Sequence, residues 1–319
     1  MSLLEIKNLA VDFELKKTTV HAVRNVSLSI EKGETHCVVG ESGCGKSVSS
    51  YAIMNLIEKP GKITNGEIIF NGQNLLKIDK EKMRKIRAKE ISMIFQDPMN
   101  SLNPVYRCGD QIAEVLVAHK GINKKDALAE AVRVLDSVKV TSPQKRIMQY
   151  PHELSGGLRQ RIMIAMAIIC KPMLLIADEP TTALDVTVQR QILDILNDLR
   201  KEMKMAVLFI THDLGIVNVI ADKISVLYAG EVVESGCRNE IFDYPKHHYT
   251  IGLLNAVAKI GGKKEKLKPI EGNLPDASNE IKGCAFETRC PKRLESCKNK
   301  KPPETKIKEH KFYCFNPFS

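Results

Sequence analysis

The eight residues from Gly40 to Ser47 read G-E-S-G-C-G-K-S and fit the phosphate-binding pattern G-x-x-x-x-G-K-[ST] at every position. A short β-branched run precedes them, and a run able to form a helix follows. In such a strand–loop–helix unit, main-chain N–H groups face phosphate oxygens and the helix start adds partial positive charge. The motif therefore predicts an α/β fold with a nucleoside triphosphate site. A glycine-rich turn with a solvated lysine is the alternative.

Within this loop we expect Lys46 to contact the β- and γ-phosphates and Ser47 to bind Mg²⁺. A loop of this kind surrounds the phosphates with its backbone, so every residue in it is a candidate nucleotide contact. The candidates are Gly40, Glu41, Ser42, Gly43, Cys44, Gly45, Lys46, Ser47 and Val48.

A second cluster begins with an apolar run, L-L-I-A, that ends in the acidic pair Asp178 and Glu179. Such a run predicts a buried parallel strand, and ligands bind at the carboxyl ends of these strands. We expect Asp178 to hold Mg²⁺ through water and Glu179 to polarise the attacking water. The alternative, a buried strand that merely ends in two surface acids, fits poorly beside a phosphate loop.

The segment L-S-G-G supplies Ser155, Gly156 and Gly157 just before another predicted helix. This is a second helix start able to accept an anion. Two such starts for one nucleotide make sense if a second copy supplies one of them. His212 follows the apolar run M-A-V-L-F-I and could contact the γ-phosphate from that strand end, although a lone histidine there is more often a capping or solvated residue.

In order, these motifs resemble the ATP-binding subunits of ABC transporters over residues 3 to 258. The resemblance implies a RecA-like P-loop ABC nucleotide-binding domain with an antiparallel β subdomain and a helical insert at about 98–165. It also implies that Gln96, in I-F-Q-D-P, senses Mg²⁺ and the attacking water, and that Glu179 and His212 serve hydrolysis. Leu158 departs from the general pattern, which has glutamine there.

The same resemblance implies a head-to-tail dimer. Ser155, Gly156 and Gly157 would then contact the γ-phosphate of the partner's ATP, and Asp185, in T-A-L-D, would lie at the interface. The adenine is expected to stack on Phe13, which is favoured over His21.

Three further segments resemble dipeptide and oligopeptide importers: 95–104, 238–257 and the cysteine-bearing tail. The resemblance implies a peripheral subunit on the cytoplasmic face of the cell membrane. Its partners would be two transmembrane permease subunits, a second ATP-binding subunit and, indirectly, an extracytoplasmic peptide-binding protein. Nickel or another solute remains an alternative cargo. A non-transport ABC ATPase acting on nucleic acid and a P-loop kinase are rival functions, but the first usually has two cassettes and the second leaves L-S-G-G unexplained.

Charge and hydropathy agree with that placement. The net charge is +10 for 319 residues, and residues 261–319 hold 14 Lys and Arg against 8 Asp and Glu. No aromatic pattern accompanies this excess, so we expect no nucleic-acid partner. No run approaches the roughly 18 apolar residues that span a bilayer. Nor does the start of the chain resemble a signal peptide.

Four of the nine cysteines cluster in the tail as C-x5-C-x6-C-x16-C: Cys284, Cys290, Cys297 and Cys314. The tail is too polar to build much core, and disulfides are rare in a reducing compartment. A four-cysteine metal site is therefore predicted, and its irregular spacing favours a [4Fe–4S] cluster over Zn²⁺. The domain prediction is a nucleotide-binding domain at 1–260 and a small metal-binding region at 261–319.

Overall fold

The computed structural model describes residues 2–182, 184–256 and 270–318, apart from the side chains of Pro98 and Asn100. The predicted domain boundary, at residues 260 and 261, lies outside these ranges. Strands and helices alternate through much of the described chain, as an α/β fold requires.

The strands are β1 (Leu4–Glu14), β2 (Thr19–Ile30), β3 (Thr35–Val39), β4 (Gly61–Phe70), β5 (Gln73–Asn74), β6 (Ile91–Ile94), β7 (Leu174–Asp178), β8 (Ala206–Thr211), β9 (Lys223–Tyr228), β10 (Glu231–Cys237), β11 (Thr305–Ile307) and β12 (His310–Phe312). The helices are α1 (Lys46–Ile53), α2 (Lys80–Ile86), α3 (Pro98–Ser101), α4 (Cys108–Lys120), α5 (Lys124–Ser137), α6 (Pro143–Arg146), α7 (Gly156–Ile168), α8 (Val186–Met203), α9 (Leu214–Ile220), α10 (Arg238–Asp243), α11 (His248–Asn255) and α12 (Ser296–Asn299).

The chain forms two compact units. The first unit contains Met1–Glu31, Thr35–Lys77 and Ile210–Ser319. The second unit contains Lys32–Glu34 and Ile78–Phe209. The first unit therefore combines the phosphate loop with the cysteine-bearing C-terminal segment, two regions far apart in sequence.

The sheet of the first unit runs in the order β5-β4-β1-β2-β10-β9-β3. β1 pairs antiparallel with both β2 and β4, which gives an antiparallel sheet of three long strands with β1 in the middle. β3 pairs parallel with β9 and is buried at all five positions. A strand buried on both faces is typical of the centre of a parallel sheet, and this one ends where the phosphate loop begins.

The second unit places helices around a short parallel pair, β6 and β7. Its helices α3 to α7 lie between these two strands in sequence. α5 begins at the N-cap Asn123, whose side chain accepts a hydrogen bond from the N–H of Asp126, and it buries Ala127, Ala131 and Leu135 on one face. The spacing of these three residues is the four-residue spacing of an amphipathic helix.

The C-terminal region, residues 270–318, has little regular structure of its own. Its longest elements are the short hairpin of β11 and β12 and the single-turn helix α12. β12 pairs antiparallel with β10, and Arg24 donates hydrogen bonds to the carbonyls of Ala277 and Asn279. Contacts with the rest of the first unit therefore order this region. Over the ranges that the structure describes, no helix is both long and apolar enough to cross a membrane.

Candidate functional site

The phosphate loop connects β3 to α1. At Gly45 its backbone takes a conformation that only glycine adopts readily. Gly45 has a φ of 101°, and a Cβ atom placed on it would lie 2.5 Å from the carbonyl oxygen of Ala22. Any side chain at position 45 would thus meet both a strained backbone and a fixed main-chain atom. This restriction explains why the pattern requires glycine immediately before Lys46.

Lys46 opens helix α1 and is only 5% exposed. Its Nζ donates hydrogen bonds to the carbonyl oxygens of Gly40, at 2.8 Å, and Glu41, at 2.9 Å. The ammonium group therefore lies across the loop, where it bonds these two main-chain oxygens and lies 3.9 Å from the sulfur of Cys44. Burial raises the pKa of the neighbouring Cys44 thiol, which favours the neutral form inside the loop.

Glu41, the second residue of the loop, contacts two residues from distant parts of the chain. Its carboxylate accepts a bidentate ion pair from Arg289, with Nη1 to Oε2 at 2.8 Å and Nη2 to Oε1 at 3.1 Å. Its backbone N–H donates to the hydroxyl of Tyr249 at 2.9 Å. Burial alone would lower the pKa of Arg289, but its hydrogen bonds to Glu41 and Tyr228 raise it. The sequence patterns gave no sign of these contacts.

In the second unit, Glu179 follows β7 with its backbone in the left-handed region, at a φ of 46°. That conformation costs a non-glycine residue about 1 kcal/mol or more and is concentrated at functional sites. The carboxylate Oε2 accepts hydrogen bonds from Gln96 Nε2 at 3.1 Å and from Thr182 Oγ1 at 3.0 Å. Gln96 and Glu179 are thus brought together across 83 residues. Thr182 is a participant that the sequence analysis missed, although it belongs to the T-A-L-D segment.

Asp178 is the last residue of β7 and is fully buried. The two acids therefore differ sharply in environment, because Glu179 is only partly buried. A buried carboxylate beside a more accessible one is the arrangement expected when one holds a cation and the other contacts water.

The L-S-G-G segment starts helix α7 in the second unit. Ser155 is exposed at the N-cap position, and the described residues show no capping hydrogen bond from its side chain. At Gly157 an added Cβ would lie 2.8 Å from Cγ1 of Val188, a residue in the first turn of α8. Asp185 caps α8 by accepting a hydrogen bond from the Val188 N–H at 2.9 Å. Gly157 therefore permits close packing of the two helix starts and leaves Ser155 open to solvent.

The remaining predicted contacts lie in the first unit. Phe13 is half-buried on β1, and an added Cβ on Gly61 would lie 2.7 Å from its Cε1 atom. His21 bonds to Asp12, with 2.8 Å between Nδ1 and Oδ1, and its N–H donates to Ala277. His212 is exposed at the end of β8. Since the imidazole of His21 is already bonded to Asp12, Phe13 remains the preferred stacking residue.

The four tail cysteines line one cavity together with His247, Phe286 and other residues. The cavity belongs to the first unit, and its walls come from the four short turns of the C-terminal region that carry the cysteines and from the start of α11. The Cys284 N–H donates to the Cys297 carbonyl at 2.8 Å, and an added Cβ on Gly283 would lie 2.0 Å from that same oxygen. This close approach packs the turn that carries Cys284 against the turn that carries Cys297.

Each of the four sulfur atoms accepts a backbone N–H. Three of these donors lie two residues after their cysteine: Phe286 for Cys284, Lys292 for Cys290 and Asn316 for Cys314. The fourth is the N–H of Leu294, 3.4 Å from the sulfur of Cys297. Burial raises the pKa of Cys284 to about 12 and that of Cys314 to about 11. As free thiols these side chains are therefore neutral.

His247 lies beside this cavity and is 2% exposed. Its Nδ1 accepts the Tyr249 N–H at 3.1 Å, which leaves Nε2 to carry the proton. That Nε2 is 4.0 Å from the sulfur of Cys284. Burial lowers the pKa of His247 to about 3, so the ring is neutral. No sequence spacing pointed to this residue.

The four-cysteine metal site stays a prediction. Within 2–182, 184–256 and 270–318, no group of three or more His, Cys, Asp or Glu side chains is arranged to hold a metal ion. The four cysteines share a cavity but do not form a closed site. The tail is also in contact with a nucleotide motif, because Arg289, next to Cys290, bonds Glu41 in the phosphate loop.

Comparisons with known proteins agree with the fold and with the predicted family. Residues 23–182 match the family described as ABC transporter, and residues 233–297 match the C-terminal region of oligopeptide/dipeptide transporters. The ATP-binding cassette MJ0796, solved as a dimer with ADP and Pi, is 27% identical with a TM-score of 0.67, and the match covers 74% of this chain and 98% of that chain.

Two curated relatives match almost the whole chain. The oligopeptide transport ATP-binding protein OppD of Salmonella typhimurium is 48% identical over 99% of this chain and 94% of its own length. The dipeptide transport ATP-binding protein DppD of Bacillus subtilis is 48% identical over 95% of this chain and 90% of its own length. The predictions of an ABC nucleotide-binding fold and of the family are confirmed. The chain belongs to the ATP-binding subunits of ABC transporters, in the oligopeptide/dipeptide importer group.

Proposed function

We propose that this chain hydrolyses ATP within a head-to-tail pair of ATP-binding subunits and thereby powers import of dipeptides or oligopeptides. The pair is attached to two transmembrane permease subunits at the cytoplasmic face of the membrane. An extracytoplasmic binding protein delivers the peptide to the permease. The supporting relatives are OppD and DppD, whose names specify oligopeptide and dipeptide transport.

The observation that carries the catalytic part is the hydrogen-bonded set of Gln96, Glu179 and Thr182. Gln96 and Thr182 both donate to the same carboxylate oxygen of Glu179, Oε2, so two donors fix the orientation of this carboxylate. A carboxylate with one oxygen fixed by donors is well suited to orient a nucleophilic water. In this role Glu179 acts on the water, while Gln96 holds the carboxylate in place.

The other residues hold the nucleotide. Lys46 and the main chain of the phosphate loop bind the β- and γ-phosphates, Ser47, Gln96 and Asp178 hold Mg²⁺, and Phe13 stacks on adenine. Mg²⁺ supplies positive charge to the phosphate oxygens when it is bound. His212 contacts the γ-phosphate. The exposed hydroxyl of Ser155 and the N–H groups of Gly156 and Gly157 donate hydrogen bonds to the γ-phosphate of the partner subunit's ATP, and Asp185 lies at that interface.

Replacing Glu179 by glutamine tests the hydrolytic assignment. The amide cannot take a proton from water, so we expect hydrolysis to fall at least about a hundredfold, whereas ATP binding should stay within about twofold of wild type. Unhydrolysed ATP should also hold two subunits together. Steady-state phosphate release, nucleotide content and size-exclusion chromatography measure the three outcomes.

Glu202→Gln is a matched control, because Glu202 is an exposed acid in the same unit. It should hydrolyse ATP at the wild-type rate. Wild-type turnover by Glu179→Gln would remove Glu179 from the proposed reaction. Loss of ATP binding in the same variant would instead place this carboxylate in the binding step.

The cargo is tested by transport. Cells that lack this chain should fail to accumulate labelled dipeptides or oligopeptides, and wild-type chain should restore uptake, whereas Glu179→Gln should not. Subunits that copurify from native membranes would be identified in the same material. Restored uptake of Ni²⁺ without any peptide uptake would replace the peptide assignment with a metal-importer assignment.

The cavity of the C-terminal region supports the finer proposal of a [4Fe–4S] cluster held by Cys284, Cys290, Cys297 and Cys314. Four sulfurs from four separate turns face one space, and each already accepts a backbone N–H, which is how cluster thiolates are stabilised. Such a group would supply cross-links that this poorly structured region otherwise lacks. The donor set therefore fits a thiolate-bound group, with Zn²⁺ as the alternative.

Anaerobically purified protein should contain roughly four iron and four sulfide per chain and absorb broadly near about 400 nm. Cys290→Ser should lose this absorption, and Cys237→Ser, which alters an exposed cysteine outside the cavity, should retain it. One zinc and no iron per chain would overturn the cluster assignment.

A further inference from the structure

Arg289 joins the C-terminal region to the phosphate loop through several hydrogen bonds of its side chain. Its side chain is 5% exposed, and all three guanidinium nitrogens donate hydrogen bonds. Beyond Glu41, the acceptors are the Tyr228 hydroxyl and the carbonyls of Ile270 and Glu271. Its position at the end of a short 3-10 turn, next to Cys290, fixes the guanidinium relative to the cysteine cavity.

Glu41 is held from two directions by residues of the first unit. Arg289 bonds both carboxylate oxygens, and Tyr249 accepts the backbone N–H. Tyr249 in turn packs against Tyr228 and Phe286, with ring centroids 4.6 and 5.4 Å away. Phe286 also lines the cysteine cavity, so the same aromatic cluster contacts both the cavity and the phosphate loop.

The negative charge of Glu41 makes its ion pair with Arg289 important for ATP binding. A carboxylate in a loop that surrounds a triphosphate places negative charge beside negative charge. Arg289 neutralises that charge and keeps both oxygens turned toward the C-terminal region. Its low exposure means that water screens the pair poorly, so loss of the arginine would leave a partly buried, uncompensated anion.

We propose that Arg289 is a positioning residue for ATP binding, which acts through Glu41 and makes the C-terminal region part of the nucleotide site. This inference rests on the proposed use of the phosphate loop for ATP. It predicts that loss of order in the cysteine cavity weakens ATP binding, although the four tail cysteines lie outside the phosphate loop.

The test is a double-mutant cycle in the full chain, purified without oxygen, with a fluorescent ATP analogue and Mg²⁺ as the probe. R289M should raise the Kd about tenfold, because the free carboxylate repels the phosphates. In the E41Q background the same substitution should change the Kd less than about twofold, since no charge is left to compensate. R293M is the matched control, because Arg293 is 61% exposed and bonds only Glu287 among the described contacts.

Kinetics separate positioning from general stability. In the complex with its partner subunits, R289M should raise the KM for ATP about tenfold and leave kcat within about twofold, whereas loss of folded protein would lower kcat alone. R289K, which keeps the charge without the bidentate geometry, should fall between wild type and R289M. It replaces R289M if that variant does not fold.

An unchanged Kd in R289M would overturn the proposal, and so would an equal rise in Kd with and without E41Q. Absence of ATP binding by the wild-type chain would instead refute the proposed function itself. The two failures are therefore distinguishable in one set of titrations.

Discussion

The phosphate loop and the C-terminal region of the same unit are ordered in opposite ways. In the loop, residues close in sequence bond one another, as Lys46 does with the carbonyls of Gly40 and Glu41. In the C-terminal region, order comes from residues far away: Cys284 lies 37 residues from His247, and His310 lies 76 residues from Glu234. The loop therefore carries its structure in its own motif, whereas the C-terminal region depends on the rest of the unit.

This difference indicates which substitutions are expected to weaken the nucleotide site. A local motif is most sensitive to changes in its own residues, whereas a region held by distant contacts is destabilised when any of several distant partners is lost. Arg289 connects the two kinds of structure through its ion pair with Glu41. A region with few regular elements thus contributes a contact to the phosphate loop.

The largest effect on ATP affinity is expected from a substitution inside the phosphate loop. Lys46→Ala removes the ammonium group that spans the loop, and charge-assisted bonds to phosphate are strong, so ATP affinity should fall at least about a hundredfold. Equilibrium titration with ATP and Mg²⁺ measures the loss. Lys17→Ala, at an exposed position between β1 and β2, should bind as wild type does. Near-normal affinity in Lys46→Ala would mean that the main chain alone holds the phosphates.

A smaller effect, on the free energy of unfolding, is expected at the buried contact between His310 and Glu234, which we call the anchor of the C-terminal region. Glu234 is fully buried and accepts hydrogen bonds from His310 and from the N–H groups of Lys246 and His247. His310→Ala leaves that carboxylate with one donor fewer and should lower the free energy of unfolding by about 3 kcal/mol. Chemical denaturation of the full chain measures the change.

Lys311→Ala is the control for that anchor. Lys311 is the next residue on β12 and forms an exposed ion pair with Glu304 at 3.3 Å. Exposed pairs contribute about 1 kcal/mol or less, so this variant should unfold almost as wild type does. Equal destabilisation by the two substitutions would show that β12 as a whole, and not the buried His310–Glu234 contact, anchors the region.

The sequence predicts those parts of the site whose chemistry is local. The glycines and Lys46 form one short motif, and the apolar run before Asp178 and Glu179 predicts their position at a strand end. The hydrogen bond between Gln96 and Glu179 spans 83 residues. The family resemblance gave both residues a role in hydrolysis, but the bond between them was not predicted, because no periodicity links the two positions.

Other contacts could not be predicted from the sequence. The ion pair between Arg289 and Glu41 joins residues 248 positions apart, and either residue alone resembles a solvated surface charge. Cysteine spacing indicated that four sulfurs share a site. It did not indicate His247 or the aromatic residues around the cavity, because the fold of the whole first unit determines these neighbours.

The central claim is that order in the cysteine region is transmitted to the phosphate loop, and ATP affinity of Cys290→Ser tests it most directly. Replacing Cys290 removes one proposed ligand next to Arg289, so the Kd for ATP should rise about fivefold as the ion pair with Glu41 weakens. Cys237→Ser, at an exposed cysteine outside the cavity, should leave the Kd unchanged. A Kd for Cys290→Ser equal to that of wild type, in protein that has lost its proposed cluster, would contradict the claim.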